Sequence, residues 1–195
     1  MVLPIIAYGD PVLRKVAKDI TPEYPGLEQL LENMKETMKN AHGVGLAAPQ
    51  IGKAIRIFLV DTRPFAEDDD LDAEEQEFLS TYNKVFINAK ILEETGDEWA
   101  FSEGCLSIPD VREDVFRNET LTIEYYDEKF EKHTETLSGL AARVVQHEYD
   151  HIEGVLFTDK LSSLKKRLIK KKLDNISKGK INPEYRMKFY NVKKR

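Results

Sequence analysis

His147-Glu148-Tyr149-Asp150-His151 is the stretch that decides both the fold and the chemistry of this chain. Two histidines four residues apart lie on one face of a helix, close enough to bind a single metal ion. The intervening glutamate can reach the same site and accept a proton from a metal-bound water. The spacing therefore predicts a helix that carries two ligands and a general base. A catalytic site of this kind usually needs a third protein ligand.

The only cysteine in the chain, Cys105, is the candidate for that ligand. It follows Gly104 in a stretch typical of a strand end or tight turn, where backbones approach closely. A thiolate favours Fe(II), Zn(II), Co(II) or Ni(II) over magnesium and calcium, and bound water is still acidified. A lone unpaired cysteine is more often a small buried apolar residue. Beside HExxH, the ligand interpretation is favoured.

A third motif, residues 42–52, follows a helical pattern and precedes an apolar strand. Its small residues admit another backbone, and Gln50 is a neutral side chain able to donate to a carbonyl oxygen. The glycines alone are weak evidence, because Gly43 could equally end the preceding helix.

Three segments taken together are more specific: GVGLAAPQ (43–50), EGCLS (103–107) and QHEYDH (146–151). In this order they closely resemble the signature motifs of the peptide deformylase family. Segments around them extend the resemblance, with interruptions, over most of residues 1–160. Many unrelated metallohydrolases share HExxH, whereas the EGCLS partner separates this family from them. The resemblance implies removal of the formyl group from the N-terminal methionine of nascent polypeptides.

The resemblance also implies the metal site. Cys105, His147 and His151 would bind one ion per chain, with Fe(II) as the native metal and Zn(II), Ni(II) or Co(II) as substitutes. Metal-bound water would attack the formyl carbon. Glu148 would accept the water proton and pass it to the leaving amine.

Further residues are implied for binding the substrate. The Leu106 backbone N–H and the Gln50 side chain would stabilise the oxyanion. Gly45 and nearby backbone would bind the peptide in an extended form, as an added strand. Family pattern and helical spacing predict the walls of a methionine-sized apolar pocket. These walls are Val44, Phe101, Leu140, Arg143 and Val144.

Charged residues near these motifs need separate interpretation. Arg143 stands where an aliphatic residue is expected, and we interpret it as a rim residue without influence on catalysis. Alternatively, its stem forms the pocket wall while its head reaches solvent or an acidic partner. The resemblance implies that Glu103, grouped with the substrate-binding residues, pairs with Arg112 and holds the Cys105 loop. A simple surface ion pair is the alternative.

Composition favours a single intracellular domain. The chain has 195 residues, 41% of them hydrophobic, and one cysteine that cannot form an internal disulfide. No long apolar run could span a membrane, and the N-terminus lacks the basic region of a signal peptide. We expect a cytoplasmic monomer without a membrane partner.

The net charge of −6 conceals a strong asymmetry along the chain. Residues 160–195 carry a net charge of +12, so the preceding residues carry −18. Eight acidic residues lie within 67–77, which we interpret as a solvated loop or short surface helix without a specific role. The predicted organisation is a catalytic domain over 1–160, with an acidic insertion at about 64–80, and a basic helix and tail over 161–195.

The basic segment suggests a second partner. Its helix, predicted from about Ser162 to Lys178, would dock weakly on ribosomal RNA near the exit tunnel. Alternatively, the helix packs its apolar stripe on the domain and solvates its lysines. That stripe comprises Leu161, Leu164, Leu168, Leu173 and Ile176. A hypothesis of another class is a ribosome-docking factor with a vestigial metal site, which the intact set of catalytic residues disfavours.

Apolar spacing places the secondary structure. Helices are predicted over 26–42 and from Ser138 to Gly154, and strands over 54–60, 85–87, 121–125 and 132–136. The prediction is an α+β fold. Short antiparallel sheets would surround the central metal-bearing helix, followed by a C-terminal amphipathic helix.

Overall fold

Apolar residues at helical spacing form four α-helices within residues 1–190, the part of the chain that this computed structural model describes. They are α1 (Leu27–Asn40), α2 (Ala73–Thr81), α3 (Gly139–Ile152) and α4 (Ser163–Ser177). The predicted helices agree with α1, α3 and α4 to within two residues at each end. Ser138 precedes α3 as predicted, although its side chain makes no capping hydrogen bond.

Five strands form one antiparallel sheet in the order β2-β3-β4-β5-β6, and two short strands, β1 and β7, pair in parallel beside it. The strands are β1 (Ile5–Ile6), β2 (Gly45–Ala47), β3 (Ile57–Asp61), β4 (Asn83–Cys105), β5 (Ile108–Tyr126), β6 (Lys132–Ser138) and β7 (Met187–Lys188). The α+β class with an antiparallel sheet is confirmed.

The prediction of short strands is wrong for the central hairpin. β4 has 23 residues and β5 has 19, and they pair along nearly their whole length with four register shifts. Residues 92–98 of β4 are exposed and mostly polar, which in the sequence resembles a loop. Backbone pairing nevertheless continues through them. Their side chains are mostly polar because both faces of this part of the hairpin meet solvent. The register shifts bend the hairpin on its way to Cys105.

The core lies on both faces of β3, whose apolar run is therefore buried on two sides. Phe58 and Val60 pack in the cluster that contains the inner face of α3. Ile57 and Leu59 pack in the cluster that contains α1. Alternate residues of a strand point to opposite faces, so one short strand holds both helices in place.

The C-terminal helix α4 packs on β5 through three residues, Ile169, Leu173 and Ile176. Packing of the predicted apolar stripe is thus confirmed for Leu161, Leu173 and Ile176. It is wrong for Leu164 and Leu168, which are 59% and 71% exposed. These two residues lie outside the face that α4 turns to the sheet, which is formed by Ile169, Leu173 and Ile176.

After α4 the chain returns across the domain, and β7 pairs with β1, with Ile5 opposite Met187. Met187 and Phe189 pack against the cluster beneath α4. The tail is therefore packed on the domain as far as Phe189, and residues 191–195 lie outside the described part. Within residues 1–190, no helix has the length and apolar character needed to cross a bilayer.

The acidic segment ends in a surface helix, α2, as one of the two interpretations predicted. The Asp72 side chain caps it by accepting a hydrogen bond from the Glu75 N–H at 2.8 Å. Leu79 is buried and anchors α2 to the core near α3. The segment is therefore packed as well as solvated.

Candidate active site

A cleft of about 670 Å³ opens where the end of β4, the edge strand β2 and the helix α3 meet. It gathers most of the residues that the motifs nominated, although they come from distant parts of the sequence. These are Val44, Gly45, Gln50, Phe101, Glu103, Cys105, Leu106, Arg112, Arg143, Val144, His147 and Glu148. The three sequence motifs thus form one site.

Two nominated residues do not line the cleft. His151 is buried behind it, with Nε2 3.3 Å from the Cys105 Sγ. Leu140 packs in the core cluster and is not among the residues that line the cleft, so its role as a pocket wall stays a prediction. It shares a helix face with His147, but seven residues of α-helix separate them by about 10 Å along the axis. Helical spacing predicts the face and not the depth.

The candidate metal ligands converge at the floor of the cleft. One ligand atom from each of Cys105, His147 and His151 lies within 4.8 Å of the other two. The two imidazole rings are 5.2 Å apart, in an edge-on arrangement. One sulfur and two nitrogen donors at this separation fit a single tetrahedral ion of the zinc or iron type.

Glu103 orients the first histidine of this cluster. Its Oε2 lies 2.8 Å from the His147 Nδ1, which leaves the Nε2 of that ring to face the thiol. Arg117 donates to both carboxylate oxygens, at 2.7 and 3.0 Å. Burial would raise the pKa of Glu103, but hydrogen bonds from His147 and Arg117 hold it well below its usual range. The carboxylate is therefore kept ionised behind the ligand.

The predicted pair of Glu103 with Arg112 is not formed. Arg112 is exposed and donates to the Ser102 carbonyl instead. Arg112 pairs across the sheet with Gly104, so its side chain points to the face opposite the Glu103 side chain. Arg117 lies opposite Trp99, on the face that Glu103 shares. Strand alternation thus selects Arg117 as the partner.

The interpretation of Arg143 as a rim residue is also wrong. Its side chain is 2% exposed, and its guanidinium donates to Glu103 Oε1 and to the carbonyl oxygens of Trp99 and Val115, at 2.7 to 3.1 Å. The guanidinium also lies 4.4 Å from the centroid of the Trp99 ring. Its alternative, a head that reaches an acidic partner, agrees with this geometry. Burial lowers the pKa of Arg143.

Glu148 is buried next to the candidate metal ligands, and its Oε2 has no hydrogen-bond partner among the described residues. Burial raises the pKa of its carboxyl group to about 7. The space it occupies exists because residue 45 is glycine. A Cβ at Gly45 would lie 2.3 Å from the Glu148 Oε1. A carboxyl group held in this way can exchange a proton near neutral pH.

Gln50 and Leu106 lie beside the thiol. The Gln50 Oε1 accepts from the Ala47 N–H at 2.7 Å, which turns the amide nitrogen toward the site. That nitrogen is 3.6 Å from the Cys105 Sγ and 3.4 Å from the Ser107 Oγ. Leu106 and Ser107 form the two-residue connection between β4 and β5. The Gln50 amide and the turn of Leu106 and Ser107 thus border the same space beside the Cys105 thiol.

Among the residues that sequence reasoning missed, two line the cleft and one lies behind it. Phe65, beside the acidic segment, meets Phe101 edge-on with ring centroids 6.5 Å apart. Arg117 holds Glu103 from β5. Tyr185, which follows α4, lines the cleft and donates its hydroxyl to the Leu106 carbonyl at 2.7 Å. Of these three residues, only Arg117 could have been found from the sequence. The alternation of side chains along β5 places it on the same face as Glu103, provided that the register with β4 is known.

Comparisons with known proteins show which family this chain is similar to. The family model described as polypeptide deformylase matches residues 2–167. The peptide deformylase of Christiangramia forsetii is 71% identical over 194 residues, covering 100% of this chain and 99% of that protein. A peptide deformylase structure from Legionella pneumophila has a TM-score of 0.78 at 34% identity, covering 92% of this chain and 98% of that one. The class I type b enzyme of Acinetobacter baumannii, with Met-Ala-Ser bound, has a TM-score of 0.73 at 31% identity, covering 83% and 99%.

The fold and the HExxH helix beside a thiol define a hydrolase of the metal-dependent class. The matches extend over nearly the whole chain at high identity. The chain belongs to the polypeptide deformylase family, which removes the N-formyl group from nascent polypeptides.

Proposed function

We propose that Cys105, His147 and His151 bind one Fe(II) ion and that the cleft above them hydrolyses formyl-methionyl peptides. The observation that carries this assignment is the convergence of three donor atoms within 4.8 Å of one another, next to the buried Glu148 carboxyl. Zn(II), Ni(II) and Co(II) suit the same donors and are the proposed substitutes. The bound ion supplies Lewis acidity toward water and the formyl carbonyl.

Residues of this chain would perform the remaining steps. Glu148 would accept a proton from the attacking water and deliver it to the leaving amine, so that formate and a free N-terminal methionine are released. The raised pKa of Glu148, about 7, supports both halves of that transfer. The Gln50 amide and the Leu106 N–H would stabilise the oxyanion that forms on the carbonyl oxygen.

The substrate would bind in an extended form along β2. This strand is the edge of the sheet, and its Gly45 borders the cleft. An edge strand offers unpaired backbone groups to a peptide that adds as a further strand. The methionine side chain would enter an apolar pocket walled by Val44, Phe101 and Val144, with Phe65 behind Phe101. The Acinetobacter baumannii enzyme with Met-Ala-Ser bound supports a peptide of this kind as the ligand.

Formate release from formyl-Met-Ala-Ser, measured together with metal content, tests the proposal. Anaerobically prepared protein should contain about one iron per chain and release formate. Treatment with a chelator should abolish release, and Fe(II), Ni(II), Co(II) or Zn(II) should restore it to different extents. Full activity after complete metal removal would refute the role of the three ligands.

We also propose that the outer face of α4 contacts ribosomal RNA weakly while residues 1–160 act as the catalytic domain of a cytoplasmic monomer. Arg167 and Lys171 are exposed on the side of α4 opposite the packed Ile169 and Leu173, and Lys166 and Lys172 are exposed on its flanks. Clustered cations of this kind bind phosphates by releasing counterions, which gives strong salt dependence.

Charge reversal is a better test of this contact than truncation, because removing α4 would uncover the core beneath it. Lys171→Glu with Lys172→Glu should weaken co-sedimentation with ribosomes at low salt and leave hydrolysis of a short peptide intact. The control is Lys15→Glu with Lys39→Glu, which changes the net charge equally at exposed sites outside α4. Equal co-sedimentation of the two double variants would reject docking through α4.

A further inference from the structure

The chain that follows α4 reaches the active-site cleft, although it lies beyond the segment matched by the family model. Residues 182–185 line one wall of the cleft. Immediately after them, β7 pairs with β1 through hydrogen bonds from the Ile5 N–H to the Arg186 carbonyl and from the Ala7 N–H to the Lys188 carbonyl, both 2.9 Å. The tail is therefore anchored next to the site.

Tyr185 makes the contact that matters for chemistry. Its hydroxyl donates to the Leu106 carbonyl at 2.7 Å, across 79 residues of sequence. Leu106 lies between the metal-ligating Cys105 and Ser107 in the two-residue turn from β4 to β5. The next carbonyl of that turn, on Ser107, accepts from the Tyr8 N–H at 2.8 Å. Consecutive carbonyls of the turn are thus held from the two ends of the chain.

We propose that Tyr185 is a positioning residue for the Leu106 amide that stabilises the oxyanion. The inference rests on the proposed function of that amide. The Leu106 carbonyl belongs to the peptide plane between Leu106 and Ser107, and the Leu106 N–H belongs to the preceding plane. The two planes meet at the Leu106 Cα, so holding one restricts the other. A turn of two residues has few internal hydrogen bonds, so external donors determine how these planes are oriented. A donor aimed at an oxyanion works only when it is oriented before the reaction, and small displacements reduce the rate steeply. The Tyr185 hydroxyl supplies that orientation from outside the three motifs.

Tyr185→Phe tests this role because it removes the hydroxyl and keeps the ring. We expect kcat for formyl-Met-Ala-Ser to fall roughly tenfold, with KM within about twofold of wild type and the variant still fully folded at the assay temperature. The matched control is Tyr190→Phe, on the same tail. Tyr190 is 46% exposed, and its hydroxyl has no hydrogen-bond partner among the described residues.

A second measurement does not depend on activity. In zinc-loaded protein, the Leu106 carbonyl carbon and amide nitrogen resonances should shift in Tyr185→Phe and stay in place in Tyr190→Phe. Unchanged resonances with kcat within twofold of wild type would overturn the role, as would a fall in kcat shared by Tyr190→Phe or explained by a lower folded fraction. A wild-type protein that releases no formate would overturn the proposed function, and this role with it.

Discussion

Replacing Arg143 by leucine should destabilise the protein strongly, because this arginine is a buried part of the network behind the proposed metal ligands. Leucine keeps an apolar stem of similar width but has no donor. The Glu103 carboxylate and the carbonyls of Trp99 and Val115 would each lose one hydrogen bond. Glu103 would keep its two bonds from Arg117.

The magnitude follows from those contacts. Removing one partner of a buried ion pair costs about 3–5 kcal/mol when the remaining charge is left without compensation. Here Arg117 still compensates Glu103, whereas the buried Val115 carbonyl and the partly buried Trp99 carbonyl each lose a partner. A group left unsatisfied costs about 1–3 kcal/mol. The substitution also removes the cost of keeping a charged guanidinium out of water, which offsets part of this loss. We therefore expect the free energy of unfolding to fall by about 2–4 kcal/mol.

Urea unfolding of the metal-free proteins is the suitable assay, because metal binding would otherwise add to the stability of each variant. The control is Arg63→Leu. The Arg63 side chain is 56% exposed and is paired with Asp61. That surface pair should contribute less than about 1 kcal/mol. A loss for Arg143→Leu within about 1 kcal/mol of wild type, or equal to that of the control, would refute the reasoning.

Three further substitutions test the chemistry. Glu148→Ala should leave metal bound and lower deformylation by about 10²- to 10⁴-fold, because the proposed mechanism makes this residue a base and not a ligand; near-normal turnover at unchanged metal occupancy would contradict this. Cys105→Ser should lower Fe(II) affinity and activity together, since an alcohol is a harder and poorer ligand; full iron occupancy with an unaltered absorption spectrum would exclude the thiol as a ligand. Gly45→Ala should reduce kcat by about 10²-fold, because the added Cβ displaces the Glu148 carboxyl; wild-type kcat in this variant would show that the carboxyl can move freely.

The sequence predicted the features that depend on neighbours within a few residues. The spacing of His147 and His151 gives one helix face, and the apolar periods of α1, α3 and α4 give their limits, because both follow from 3.6 residues per turn. The three motifs also indicated the family and the donor set. These are local properties, so no tertiary information was needed.

Tertiary structure decided the contacts between distant segments. Glu103 pairs with Arg117 rather than Arg112 because the register of a long hairpin places Arg117 on its face, and the sequence does not state that register. Arg143 is buried because the ends of β4 and β5 cover its position on α3. Tyr185 reaches Leu106 only after α4 has packed and β7 has paired with β1. Each contact joins residues that are close only after the sheet has formed. The spacing of residues along one helix, in contrast, can be read directly from the sequence.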